Sequence, residues 1–230
     1  MTAGKSILWV AMGLTLMATG CRSSDPALDR SEQAVTLLVD KRKTLLDGEQ
    51  TVSSSQNALQ VLQQTAGDLR PAFDAFQKEI DNVRKEADRA RAEAAELRAR
   101  AIAYCTARQS DVSTISNDNM RKTAETRTAQ VRDSYEHIDA LYTDVNAAYA
   151  AYLRNLNDLQ TYLANELNYP ALHSAQPWVA ESQASGESLR SSIRLLTIEL
   201  NKTSNRLSPV PLPATDGPGL YSPEAYARLK

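Results

Sequence analysis

Apolar residues recur every seven positions along most of this chain, in paired rows three or four residues apart. Phe73, Ile80, Ala87, Ala94 and Ala101 make one row; Phe76, Val83, Ala90, Leu97 and Tyr104 make its companion. Two rows at that offset form the seam of an amphipathic helix that packs on other helices. The pattern returns in Val131, Ile138, Val145, Tyr152 and Leu159 with Tyr135, Tyr142, Tyr149, Leu156 and Leu163. Both sets lie between Pro71 and Pro170, and the 98 residues between those prolines include neither proline nor glycine. Tight turns and strand connections need those residues, so the stretch predicts long helix.

The two sets are out of phase. Ala101 and Val131 are separated by four heptads plus two residues, across the polar run Ser110, Asp111, Ser113, Thr114, Ser116, Asn117, Asp118 and Asn119. Such side chains compete for backbone hydrogen bonds and favour caps and turns. A hairpin turn within 109–119 is expected; an unbroken rod with a local defect is the alternative. Upstream, Leu38, Leu45, Val52 and Leu59, with Leu62, predict a first helix that starts at Asp25-Pro26 and stops before Gly67. Gly48 and Ser53-Ser54-Ser55 weaken it locally. Downstream, Pro170 should end or kink the third helix. Leu189, Leu196 and Thr203 with Ile193, Leu200 and Leu207 predict a last one, with Gly186 in its first turns. The expected fold is all-α, an elongated antiparallel helical bundle or coiled-coil hairpin of about four helices, near 26–66, 71–108, 119–168 and 178–207 within a bundle spanning 21–207. Pro209, Pro211, Pro213, Pro218 and Pro223 mark 208–230 as a Pro-rich disordered tail.

Composition agrees with thin helical packing: aromatics are 6% of residues and the net charge is −2. Interspersed charges give no case for nucleic acid. The N-terminus reads as an address. Lys5 precedes an apolar run from Ile7 to Ala18, too short to span a bilayer, so 1–20 reads as a secretory signal peptide. Ala18-Thr19-Gly20-Cys21 resembles the lipobox of bacterial lipoproteins, in which the cysteine is acylated and becomes the mature N-terminus. The resemblance implies a membrane anchor of acyl chains on Cys21, and Arg22 in place of aspartate favours the periplasmic face of the outer membrane. If Cys21 lies at the other end from the 109–119 turn, that tip points away from the membrane.

Chemistry-bearing residues are sparse. Cys105 has no partner for a disulfide once Cys21 is acylated; a small semi-buried helix residue is expected, with an intermolecular disulfide as the alternative. His137 and His173 are isolated, with no HExxH, CxxC, glycine-flanked serine or phosphate-cradling loop, so no catalytic residue, metal site or cofactor is expected. Arg84, Lys85, Arg89, Arg91, Arg98 and Arg100 interleave with acids and read as a solvated face, with pairs Asp81–Lys85, Arg89–Glu93 and Glu96–Arg100. Tyr135, Tyr142, Tyr149, Tyr152 and Tyr162 read as a core or rim stripe with hydroxyls reaching water.

The order of helices over roughly 41–207, and the run Leu163…Leu167-Asn168…Ala171-Leu172, resemble an uncharacterised bacterial family of helical lipoprotein-like proteins (DUF2959-like). That resemblance implies a helical fold and brings no activity. The expectation for function is a lipid-anchored envelope protein that acts as a scaffold or interaction module through its long helices, alone or by self-association. One alternative is a cell-wall tether, because the ending Tyr226-Ala227-Arg228-Leu229-Lys230 is similar to that of murein lipoprotein, whose terminal lysine joins peptidoglycan. Another is a small-ligand-binding helical module on the tyrosine stripe.

Overall fold

The computed structural model describes residues 26–209. It is an all-α bundle of five helices: α1 (Pro26–Gln64), α2 (Arg70–Ser113), α3 (Asp118–Asn165), the short α4 (Tyr169–Ser174) and α5 (Gln176–Leu207). There is no strand among the described residues. At ~1.5 Å per residue, the 48 residues of α3 extend about 72 Å.

The four long helices alternate in direction. Arg84 and Arg98 on α2 reach Asn157 and Asp139 on α3, so these two run antiparallel. Gln56 and Glu49 on α1 meet Gln183 and Arg194 on α5, again in opposite order. Each long helix packs on two neighbours, α1 on α2 and α5, α3 on α2 and α5. The arrangement is a square with α1 facing α3 across the diagonal.

The seams fill its centre. Leu38, Leu45, Val52, Leu59 and Leu62 of α1 are buried, as are Phe73, Phe76, Ile80, Val83, Ala87, Ala90, Leu97 and Tyr104 of α2. Every seam position of α3 after Val131 is buried, and so are all six seam residues of α5. The alanines let α2 approach its neighbours closely, and the tyrosines of α3 fill the space that remains. Tyr149 points at Gly48 of α1, where an added Cβ would lie 2.6 Å from its hydroxyl. At Gly186 of α5 a Cβ would lie 2.7 Å from the Gln56 side chain and 3.1 Å from the Tyr152 ring. These mid-helix glycines are seats for large side chains on the facing helix. Gly186 sits in the third turn of α5, which starts at Gln176.

The connections follow the sequence signals closely. Gly67 adopts φ +106° between α1 and α2, a region that favours glycine. Tyr169 donates its hydroxyl to the Gly67 carbonyl at 2.8 Å and accepts from the Gly67 amide. Pro71 and Pro170 both sit at the start of helices. Asn168 caps α4, accepting from the Ala171 amide at 2.8 Å, and Ala171 and Leu172 are buried beneath it. The Leu-Asn…Ala-Leu run is therefore the corner that reverses the chain.

Three expectations need correction. The hairpin turn is only Thr114–Asn117, because α2 continues through the polar run to Ser113; Val112 is buried and Asp111 pairs with Arg30 of α1, so tertiary contacts hold those turns helical. The third helix, expected to run to 168, ends at Asn165, and a short helix, Tyr169–Ser174, precedes α5 in the connection, so the described residues form five helices and not about four. The start of α1 lies beside the α2–α3 turn, not at the opposite end, as the Arg30–Asp111 pair requires.

Candidate functional site

The expected lipidation residue Cys21, its lipobox Ala18, Thr19 and Gly20, the signal peptide 1–20 and the tail lysine Lys230 lie outside the described residues. What the described residues place is the end of the bundle from which those segments emerge. Pro26, five residues after Cys21, opens α1 there, and Leu207 closes α5 there.

That end is held by side chains from all four long helices. Arg30 on α1 pairs with Asp111 on α2, and Ser31 Oγ lies 3.4 Å from the Tyr104 hydroxyl. Arg108 Nη1 donates to the same hydroxyl at 3.2 Å, and its Nε donates to Thr128 Oγ1 of α3 at 3.1 Å. The Tyr104 and Tyr135 rings meet edge to face, centroids 6.2 Å apart. In the turn, the Asn117 side chain accepts from the amides of Asn119 and Met120 at 3.0 and 3.1 Å, and Arg121 donates to the Ile115 carbonyl at 3.2 Å. Arg206, in the last turn of α5, donates to Ser134 Oγ at 2.9 Å. Above that contact α5 has ended and the α2–α3 tip continues. The step leaves an open cavity of about 700 Å³ lined by Arg108, Arg127, Gln130, Val131, Arg206 and Leu207.

A second polar feature crosses the bundle lower down. Lys41 of α1 is buried between Glu96, its close partner, and Glu93 at 3.8 Å. Burial pushes the Glu93 carboxyl above the usual carboxylate range, against the pull of Lys41. The hydrogen bond from Lys41 holds Glu96 below that range. Glu93 Oε2 and the Tyr142 hydroxyl are buried without a hydrogen bond among the described residues. Sequence spacing had paired Glu96 with Arg100 along one helix; the partner from α1 was not readable from α2 alone. Of the other expected pairs, Arg89–Glu93 forms at 3.6 Å, and Asp81 pairs with Arg84. The arginines of α2 also bridge helices, with Arg98 bonded through Nε and Nη2 to Asp139.

The tyrosine stripe lies deeper than expected. Tyr142, Tyr149 and Tyr152 are fully buried, so their hydroxyls do not reach water. Burial raises the Tyr152 phenol to about 12, offset in part by its 2.8 Å hydrogen bond with Ser55. Tyr162 alone sits at the rim, edge to face with Trp178 at 5.1 Å. Cys105 is buried, and burial pushes its thiol up, which disfavours the reactive thiolate. His137 is exposed on α3. Among the described residues no group of three or more His, Cys, Asp or Glu could hold a metal ion, and no helix is long and apolar enough to cross a membrane.

A family model described as "Protein of unknown function (DUF2959)" matches residues 27–210. No curated protein and no solved structure matches the chain.

Proposed function

The chain belongs to the DUF2959 family of proteins of unknown function, and we propose that it is a lipid-anchored envelope protein that works without catalysis, as a scaffold and interaction module. Acyl chains on Cys21 would hold it at the periplasmic face of the outer membrane. Several chains on one cysteine bind stably where a single chain is marginal.

The observation that carries the reading is the Arg30–Asp111 pair. It holds the start of α1 beside the α2–α3 tip, which supports an anchor on that side. The tip then lies against the membrane, and the partner surface belongs at the far end. There the connections 65–69 and 166–168 meet, and Tyr169, Trp178 and Val61 are about half exposed. Aromatic side chains at a rim suit protein partners, since they supply large contact area at low entropy cost.

Metabolic labelling with palmitate tests the anchor. Label should enter the protein, and Cys21→Ser should abolish it; undiminished labelling of the variant overturns the reading. The tether alternative rests on the similarity of Tyr226-Ala227-Arg228-Leu229-Lys230 to the ending of murein lipoprotein. Covalent recovery of the protein on purified sacculi, lost on deletion of Lys230, would favour the tether.

A further inference from the structure

Where α5 stops, three helices each bring one arginine to the same open cavity: Arg108 from α2, Arg127 from α3 and Arg206 from α5. Two of these are already held in place. Arg108 donates to Thr128 Oγ1 and the Tyr104 hydroxyl, and Arg206 donates to Ser134 Oγ. A guanidinium carries more N–H donors than these contacts use, so both keep donors for a further acceptor. Arg127 is exposed and makes no ion pair or side-chain hydrogen bond among the described residues. Gln130, one turn along α3 from Arg127, adds a neutral donor. Two acids also line the cavity. Glu199 is buried and engaged by Lys202 at 3.1 Å. It precedes Arg206 by seven residues on α5, which sets it about 10 Å further from the tip. Asp133 is exposed. With Glu199 offset by Lys202, the arginine end of the cavity carries positive charge.

We propose that this cavity binds a phosphate ester, with Arg108, Arg127 and Arg206 on its oxygens and Gln130 as a further donor. Guanidinium groups pair with carboxylate and phosphate through parallel N–H donors. Cations arriving from three helices suit phosphate better, because its oxygens spread over a tetrahedron whereas those of a carboxylate share one plane. A cavity of about 700 Å³ is far larger than phosphate alone and leaves room for the esterified group. Its place selects the source. The cavity lies at the same end as the start of α1. Under the proposed anchor on Cys21 that end faces the membrane, so the ester is a phospholipid headgroup. That last step rests on the anchor; the phosphate site does not.

The full chain carrying Cys21→Ser, which cannot be acylated there, tests the site apart from the anchor. Inorganic phosphate, added at constant ionic strength, should shift the amide resonances of 127–134 saturably. Arg127→Gln should weaken that binding about fivefold. Arg132→Gln removes an exposed arginine that lines the α2–α3 groove instead, and should leave the binding unchanged. Absence of saturable shifts, or equal weakening by the two variants, overturns the site. Flotation with vesicles of phosphatidylglycerol in phosphatidylcholine separates the sources. Flotation that phosphate competes away and Arg127→Gln reduces assigns the site to a lipid headgroup. Phosphate binding without such flotation keeps the site, assigns it to a soluble ester and overturns the membrane step.

Discussion

Gly48 lies in the middle of α1 because Tyr149 of α3 needs the space that a side chain would take. A methyl group there must push the hydroxyl from a packed site, and overpacking of this kind costs about 1–3 kcal/mol. Gly48→Ala should therefore lower the melting temperature by several degrees, even though alanine is the better helix former. Tyr149→Phe removes the clashing atom, so the double variant should recover most of the loss; a purely additive pair would contradict the fit. Glu93 gives a pH signature. Its carboxyl is raised by burial, so the folded chain holds that proton more tightly than the unfolded chain. Protonation thus favours the fold, and the contribution is lost as pH rises from the ordinary carboxylate range through the raised value. Glu93→Gln should gain stability relative to the unaltered protein between about pH 4 and pH 7. Denaturant midpoints at both pH values measure this, and an unchanged difference would contradict it.

At the scale of the element, the two asparagine caps set where helices begin. Asn117 accepts from two amides at the start of α3, and Asn168 from one at the start of α4. Replacing either by alanine should cost about 1 kcal/mol in chemical unfolding, with no change in helical content; no loss at either would remove the capping role. Helix identities and core faces were legible in the sequence because a seven-residue apolar repeat directly encodes the buried side. Gly67, Pro71 and Pro170 also marked the corners correctly. The polar run 110–119 misled about the length of the turn, since Val112 and the Arg30–Asp111 pair act from outside the local sequence. The tyrosine hydroxyls misled in the same way: Ser55 and Gly48 on α1 make room for them, and no pattern within α3 reveals those seats. The Lys41–Glu96 pair, likewise, joins residues 55 apart in sequence.

At the scale of the molecule, alternating helices joined by short connections decide which ends meet. The chain descends α1, returns along α2, descends α3 and returns along α5. The start of α1, the α2–α3 tip and the end of α5 therefore share one end, and the connections at 65–69 and 166–168 share the other. The chain therefore enters α1 and leaves α5 on the same side of the bundle. Under the proposed anchor on Cys21, the tip faces the membrane and the aromatic rim of Tyr162, Trp178 and Tyr169 faces away from it. The account predicts that acylated protein on vesicles with a quencher in the lipid headgroups will quench a fluorophore at Met120→Cys strongly and one at Asp68→Cys weakly, each in a Cys105→Ser background. Stronger quenching at position 68, or equal quenching at the two, would contradict it.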